Sequence, residues 1–531
     1  MGGKRWDGPR KKEPPADDAA GRILPPRPVS TTRLGVAHDV GDHAARFRAA
    51  LNFNDHTERL VFRWSTRTVG TRARWEMEAA GRVVASGELP GAPAPSEHHF
   101  FRIGLADLPR QRLYAIAVEV LSAAGKVLAR SNTVRLEWKA RGPGPRFGVP
   151  VEEVLESVRK RFPVPALGAA VVARDFVQGI AVIGERKWGS GVPALVSDPW
   201  HLGSCTKAIT ATLVGVLIDR GLLRWTDTVA DVFPEWADSM NAYFRNVTVV
   251  HYLANRSNIV VPEAASAALE NPNLGLLQQR REFTRLCVEH PPRQTESFVT
   301  YEYQNANFVV PAAMAERSVA DAAPRGEWVS NTWEALVEAE LFRPLGMTSG
   351  GFGPPSDGES PSALWGHDFL EGDGTIVPNN RDNEPGLGPA GRIHASLADW
   401  ARFIQLHLGS ELRGGAVTIS ADTLDRLHTP FPTLIANDMP YGGGWVIENQ
   451  YGSPSLFHNG SNHHWYAAVT AYPDLGVAFL GVTNVEGPEG GDGRGWRAVT
   501  TTIETLESDY FANRRLHADP LSDRSFARGP D

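Results

Sequence analysis

Cysteine is the scarcest informative residue in this chain of 531: there are only two, Cys205 and Cys287. Two cysteines exclude a disulfide framework and leave little for a thiolate metal site. Long apolar runs are missing as well. No stretch approaches the 18 or so consecutive apolar residues that a membrane-spanning helix needs, so no membrane span is expected. Positive charge is not in excess, with 54 Lys and Arg against 61 Asp and Glu and a formal net charge of −7. A nucleic-acid or anionic-membrane footprint needs the opposite bias. The N-terminal MGGKRWDGPRKKEPPADD carries basic residues with no apolar core after them, unlike a secretory signal. Together these absences point to the cytoplasm.

What remains is an ordinary globular composition, 42% hydrophobic and 22% charged, in a chain long enough for two or three domains. Residues 1–32 are rich in Pro, Gly and charge and read as a disordered arm. Residues 33–140 change to short period-2 runs: Leu60, Phe62 and Trp64; Ala73, Trp75 and Met77; Tyr114, Ile116, Val118 and Val120; Val134, Leu136 and Trp138. Alternation at this spacing, punctuated by ELPGAPAPSE, predicts an all-β antiparallel sandwich. It resembles an immunoglobulin or fibronectin type III fold without the antibody cysteine pair. The Pro/Gly segment 141–150 reads as a linker and 512–531 as a polar tail. Between them, 151–511 has strand-like runs at both ends and helical text in the middle, an α+β pattern. A helix is expected over 151–162, a hairpin over 167–186, a helix over 397–408, and strands over 444–448, 465–472 and 477–483.

The stretch Trp200–Gly221 organises the rest. Ser204 and Lys207 are three residues apart at the head of an apolar run with helical spacing (Ile209, Leu213, Val216, Leu217). On a helix such a pair shares one face, which gives a serine nucleophile a base within hydrogen-bond reach. Spacing alone is weak evidence, since Ser157 and Lys160 repeat it within a charged amphipathic pattern. A lysine starting near ~10.4 must be lowered by about 3 to serve as a base at neutral pH, on the order of 4 kcal/mol of environmental effect. Two further segments stand out. Tyr303-Gln304-Asn305 is the only Tyr-x-Asn in the chain, and His458-Asn459-Gly460 heads toward the 465–472 run. Asn305 could cap the helix that follows it. The adjacent His463 and His464 suggest a metal, but neighbours on a strand face opposite ways, so a turn or pocket wall is favoured.

Ser204-x-x-Lys207, Tyr303-x-Asn305 and His458-x-Gly460, in that order, resemble the serine β-lactamase and penicillin-binding-protein superfamily in its class C-like branch. That branch also holds family VIII carboxylesterases and D-aminopeptidases. PLGM (344–347), AGRIHASLADWARFI (390–404), YGGGW (441–445) and VAFLGVTN (477–484) add to the likeness, which covers roughly 150–510. It implies a serine hydrolase acting through an acyl-enzyme on Ser204, with Lys207, Tyr303 and His458 catalytic and Asn305 holding Lys207 or the substrate carbonyl. The backbone N–H groups of Ser204 and of Ser461, beside Gly460, would form the oxyanion hole. No metal or organic cofactor is implied. Two departures matter. Such enzymes usually carry lysine where His458 stands, and a histidine half-neutral near pH 6.5 shifts weight to esters, amides or short peptides without a carboxylate. The usual Ser-Gly after the first motif is here Ser257-Asn258. A D-aminopeptidase or D-amino-acid amidase, or an acyltransferase, is the alternative within the fold. A non-catalytic ligand-binding protein is the alternative outside it. Oligomeric state is left open.

Overall fold

In the computed structural model, residues 150–517 are described except 296–299, 323–329, 357–362, 371–373, 410–416, 433–437, 452 and 486–492. Eight strands between residues 46 and 137 are described N-terminal to them. The expected arm (1–32) and nearly all of the linker (141–150) lie outside the described residues.

The alternating N-terminal runs do form strands: β1 (Arg46–Arg48), β2 (Arg59–Ser65), β3 (Arg72–Ala79), β4 (Arg82–Leu89), β5 (His99–Gly104), β6 (Leu113–Leu121), β7 (Val127–Arg130) and β8 (Val134–Glu137). They pair antiparallel into one sheet ordered β1-β2-β5 and another ordered β4-β3-β6-β7, with β8 also on β6.

The rest is organised by a seven-stranded antiparallel sheet. Its strands are β9 (Ala166–Ala173), β10 (Val177–Gly184), β16 (Tyr441–Gly442), β17 (Trp445–Gln450), β18 (Ser453–Ser461), β19 (Tyr466–Tyr472) and β20 (Val477–Thr483), in the order β10-β9-β20-β19-β18-β17-β16. The first hairpin thus pairs with the last strand of the chain, β9 on β20. Strands β9, β19 and β20 are buried along their whole length, which is why they read as continuous rather than alternating apolar text. Their side chains divide by parity. Leu167, Ala169, Val171 and Phe479 pack with the helices Val151–Arg161 and Arg494–His517. Ala170, Val172, Leu480 and Val482 face a larger core around the helix Thr206–Asp219. That helix is buried from Thr206 through Leu217, on every face, as a central helix is, with Lys207 and three threonines among its buried residues.

Shorter strands complete the body: β11 (Pro199–His201), β12 (Gly351–Phe352) and β15 (Ile393–Ser396) form a small sheet, and β13 (His367–Phe369) pairs with β14 (Ile376–Pro378). Three details differ from the sequence expectation. The last helix runs to His517, past the expected start of the tail at 512. His458-Asn459-Gly460 lies inside β18 rather than ahead of a strand, because its backbone pairs with Val469, Ala468 and Ala467 of β19. And Asn258 at the unusual Ser257-Asn258 adopts φ +53, the left-handed conformation that Asn tolerates best after Gly.

Candidate active site

The nucleophile turn and the end of β18 meet at van der Waals limits. Gly203 has φ +50, and a Cβ there would stand 2.4 Å from Ser461 N; a Cβ on Gly460 would stand 2.1 Å from Leu202 O and 2.4 Å from Ser204 N. Only glycine fits either place. Two backbone N–H groups, those of Ser204 and Ser461, are thereby carried to one crossing. Ser204 itself sits in the 3₁₀ turn Gly203–Cys205, which opens the buried helix at Thr206. Cys205 is buried behind it, and burial pushes its thiol pKa up.

Lys207 is fully buried, and its Nζ donates to Ser204 Oγ at 3.0 Å, Asn305 Oδ1 at 2.8 Å and the Ala390 carbonyl at 2.7 Å. Burial pulls its pKa from 10.5 down to about 7, roughly 5 kcal/mol against the ammonium. A neutral amine keeps two N–H groups for the two fixed carbonyl acceptors and turns its lone pair to the Ser204 hydroxyl. Asn305 does begin the helix Ala306–Ala322, but through its backbone carbonyl, which accepts from Phe308 N at 3.0 Å. Its side chain goes to Lys207.

Tyr303 stands at the mouth, 39% exposed, with Lys207 Nζ 4.8 Å from its ring centroid. Its ring lies 6.3 Å from that of His458 and 6.4 Å from that of Tyr441, centroid to centroid. His458 is buried, and burial together with the nearby Lys207 charge holds its pKa down at about 3. The half-neutral histidine expected from sequence is therefore a neutral ring across the working range. Its Nδ1 lies 2.5 Å from Asn459 O and its Nε2 3.2 Å from Tyr441 Oη. With Nδ1–H donating to the Asn459 carbonyl, Nε2 accepts from the Tyr441 hydroxyl. In the sequence, Tyr441 stands out only as part of the YGGGW phrase. Nothing in the sequence alone links it to His458, 17 residues away and two strands over.

The remaining sequence candidates sort plainly. Ser157 and Lys160 are exposed on the helix Val151–Arg161. His464 Nδ1 pairs with Asp368, and His463 is a turn residue at φ +77. Among the described residues no cluster of three or more His, Cys, Asp or Glu could hold a metal ion, and no helix is long and apolar enough to cross a membrane.

A sheet flanked by helices, with a serine, a depressed lysine and a Tyr-x-Asn segment at one point, defines the serine β-lactamase and penicillin-binding-protein-like class. The chain belongs to the Beta-lactamase family, whose sequence profile it matches over residues 156–502. It is 24% identical over 342 residues to penicillin-binding protein 4 of Amycolatopsis lactamdurans, covering 63% of this chain and 84% of that one. Among solved structures it resembles the octameric penicillin-binding protein homologue from Pyrococcus abyssi (TM-score 0.53, 18% identity, 67% of this chain and 76% of that one). It also resembles the D-amino acid amidase from Ochrobactrum anthropi SV3 complexed with L-phenylalanine amide (TM-score 0.52, 15% identity, 68% and 99%). At these identities the structural likeness is one of fold.

Proposed function

We propose that this protein is a serine hydrolase that cleaves an ester or amide bond of a small molecule or short peptide through an acyl-enzyme on Ser204. The observation that carries the reading is Lys207: buried, lowered to about 7, and 3.0 Å from the Ser204 hydroxyl. In its neutral form Lys207 takes the Ser204 proton as the oxygen attacks the carbonyl carbon. The N–H groups of Ser204 and Ser461 receive the oxyanion, a pair of donors of which one is typically worth ~10²–10³ in rate. The proton held by Lys207 passes, with the Tyr303 hydroxyl as carrier, to the departing alcohol or amine as the carbonyl–heteroatom bond breaks. Water then attacks the acyl-enzyme by the same route in reverse, releasing the acid and restoring Ser204. Asn305 and the Ala390 carbonyl keep the amine aimed throughout.

The third motif offers a neutral ring, not a cation, so nothing there pairs with the carboxylate of a penicillin. This favours neutral ends on the substrate. An amide of a D-amino acid is the second reading, favoured by the likeness to a D-amino acid amidase. The N-terminal strands fit an immunoglobulin-like sandwich spanning 33–140, acting as a spacer or interaction unit, with the hydrolase over 151–511. The test is a panel of p-nitrophenyl esters, D- and L-aminoacyl amides and penicillins, run on the wild type and on Ser204→Ala. Turnover of an ester or amide that vanishes in Ser204→Ala is expected. Turnover that persists in the variant, or product formed only with an added amine or alcohol acceptor, overturns hydrolysis on Ser204.

A further inference from the structure

The Gly/Pro/Asp-rich segment NNRDNEPGLGPAG (379–391) holds a carboxylate that is buried, that of Asp382. The Asp382 side chain is 5% exposed and lies among three residues from three other segments: His201 Nε2 at 3.0 Å, Arg392 Nε at 2.9 Å and Asn462 Nδ2 at 3.1 Å. The His201 contact is an ion-pair distance without a linear ring N–H alignment. Each partner borders the reacting groups. His201 Nδ1 accepts from Gly203 N at 3.1 Å, the residue before the nucleophile and the one held at φ +50. Asn462 directly follows Ser461, where β18 ends. Arg392 closes the turn 388–391, whose Ala390 carbonyl receives Lys207 Nζ, and Asn383 Nδ2 adds a bond to Gly391 O at 3.0 Å. We infer that Asp382 is the positioning residue of the site: one buried carboxylate that ties the nucleophile turn, the end of β18 and the lysine-holding turn into a fixed mutual geometry. This rests on the acyl-enzyme reading above.

The physical case is one of shared anchorage. The two backbone donors at Ser204 and Ser461 belong to segments 257 residues apart in sequence, one at the head of the buried helix and the other at the end of β18, so their mutual placement has to be set by contacts between the two. The glycines at 203 and 460 permit the close approach but, being permissive, do not fix it. A charge-assisted contact to a common anion on either side of the crossing does. Burial works to raise the Asp382 pKa, but His201, Arg392 and Asn462 outweigh it and hold the carboxyl well below the usual range, so the anchor is a carboxylate at neutral pH. Oxyanion donors act through placement, and a misplacement of about 1 Å can cost about 10²-fold in rate.

The variants are Asp382→Asn, Asn462→Ala, His201→Asn and His201→Ala, each compared with wild type for kcat and KM on the best ester of the panel, fluorophosphonate labelling rate, and thermal midpoint. An asparagine at 201 can still accept the N–H two residues on, as an Asx-turn, whereas alanine cannot. Asp382→Asn and Asn462→Ala are expected to lose about 10²-fold in kcat and in labelling rate, with KM within about twofold. His201→Asn is expected to label at least about tenfold faster than His201→Ala. Rates near wild type, a loss confined to KM, or equal labelling by the two His201 variants would overturn the inference. If Asp382→Asn does not fold, Asn462→Ala decides, since its side chain is the neutral partner. A wild type that neither turns over nor labels refutes the parent reading and this one with it; a labelled wild type with unaffected variants refutes this one alone.

Discussion

Replacing Asn305 by aspartate puts the sharpest strain on the chemistry assigned to Lys207. The substitution is isosteric, and it places a negative charge 2.8 Å from Nζ where a neutral carbonyl oxygen now sits. At an effective dielectric near 20, two unit charges at that separation attract by about 4–6 kcal/mol. That is roughly 3 pH units or more in favour of the ammonium. The mouth beside Tyr303 is open to water, so an upward shift of at least about 2 is the expected outcome. Wild-type labelling by a fluorophosphonate should rise through an apparent pKa of about 7 as Lys207 loses its proton. In Asn305→Asp that limb should move above 9, making labelling at pH 7 about 50-fold slower while the two proteins converge near pH 10. The assay is the pseudo-first-order rate of adduct formation, read by intact mass at half-unit steps from pH 5 to 10. A variant limb that stays near 7 would refute the assignment of Lys207 as the titrating base. The same depressed pKa has a stability sign. The unfolded chain binds a proton that the folded one releases between about 7 and 10.5, so Lys207 makes folding more favourable as pH rises through that window.

Two further substitutions test separate parts of the site. Tyr303→Phe keeps the ring face over Lys207 but removes the hydroxyl; kcat should fall about 10²–10⁴-fold with KM little changed, and an unchanged kcat would remove Tyr303 from the proton path. Gly460→Ala forces a methyl group to within 2.1 Å of Leu202 O and 2.4 Å of Ser204 N, so an unfolding free energy from urea titration lowered by about 3 kcal/mol is expected, with labelling of the folded fraction about 10²–10³-fold slower; wild-type labelling would mean that the β18 crossing is not where the oxyanion is held.

Much of this arrangement is legible in the sequence because it is local or periodic. Helical spacing after Lys207 marks the buried helix, continuous apolar text marks β19 and β20, and period-2 alternation marks the N-terminal strands. The three motifs are recognisable as a set, because their order along the chain carries information that no single spacing does. What escapes is whatever depends on the backbone or on distant neighbours. The Ala390 carbonyl that holds Lys207 is invisible, since every residue owns a carbonyl. His458 reads as a titrating histidine until Tyr303, Tyr441 and the sheet bury it. Asp382 sits in NNRDNEPGLGP, whose composition signals surface loop; only the fold turns that one side chain inward toward His201. And β18 runs through His458-Asn459-Gly460 because its ladder to β19 overrides three residues of low strand propensity.

The most direct measurement is peptide mapping of the intact protein after reaction with a fluorophosphonate at pH 8, where Lys207 is largely neutral. A single adduct on the peptide carrying Ser204, blocked by prior incubation with a turned-over ester, is the predicted result. No adduct, or an adduct on another residue with Ser204 unmodified, would contradict a nucleophile at the head of the buried helix.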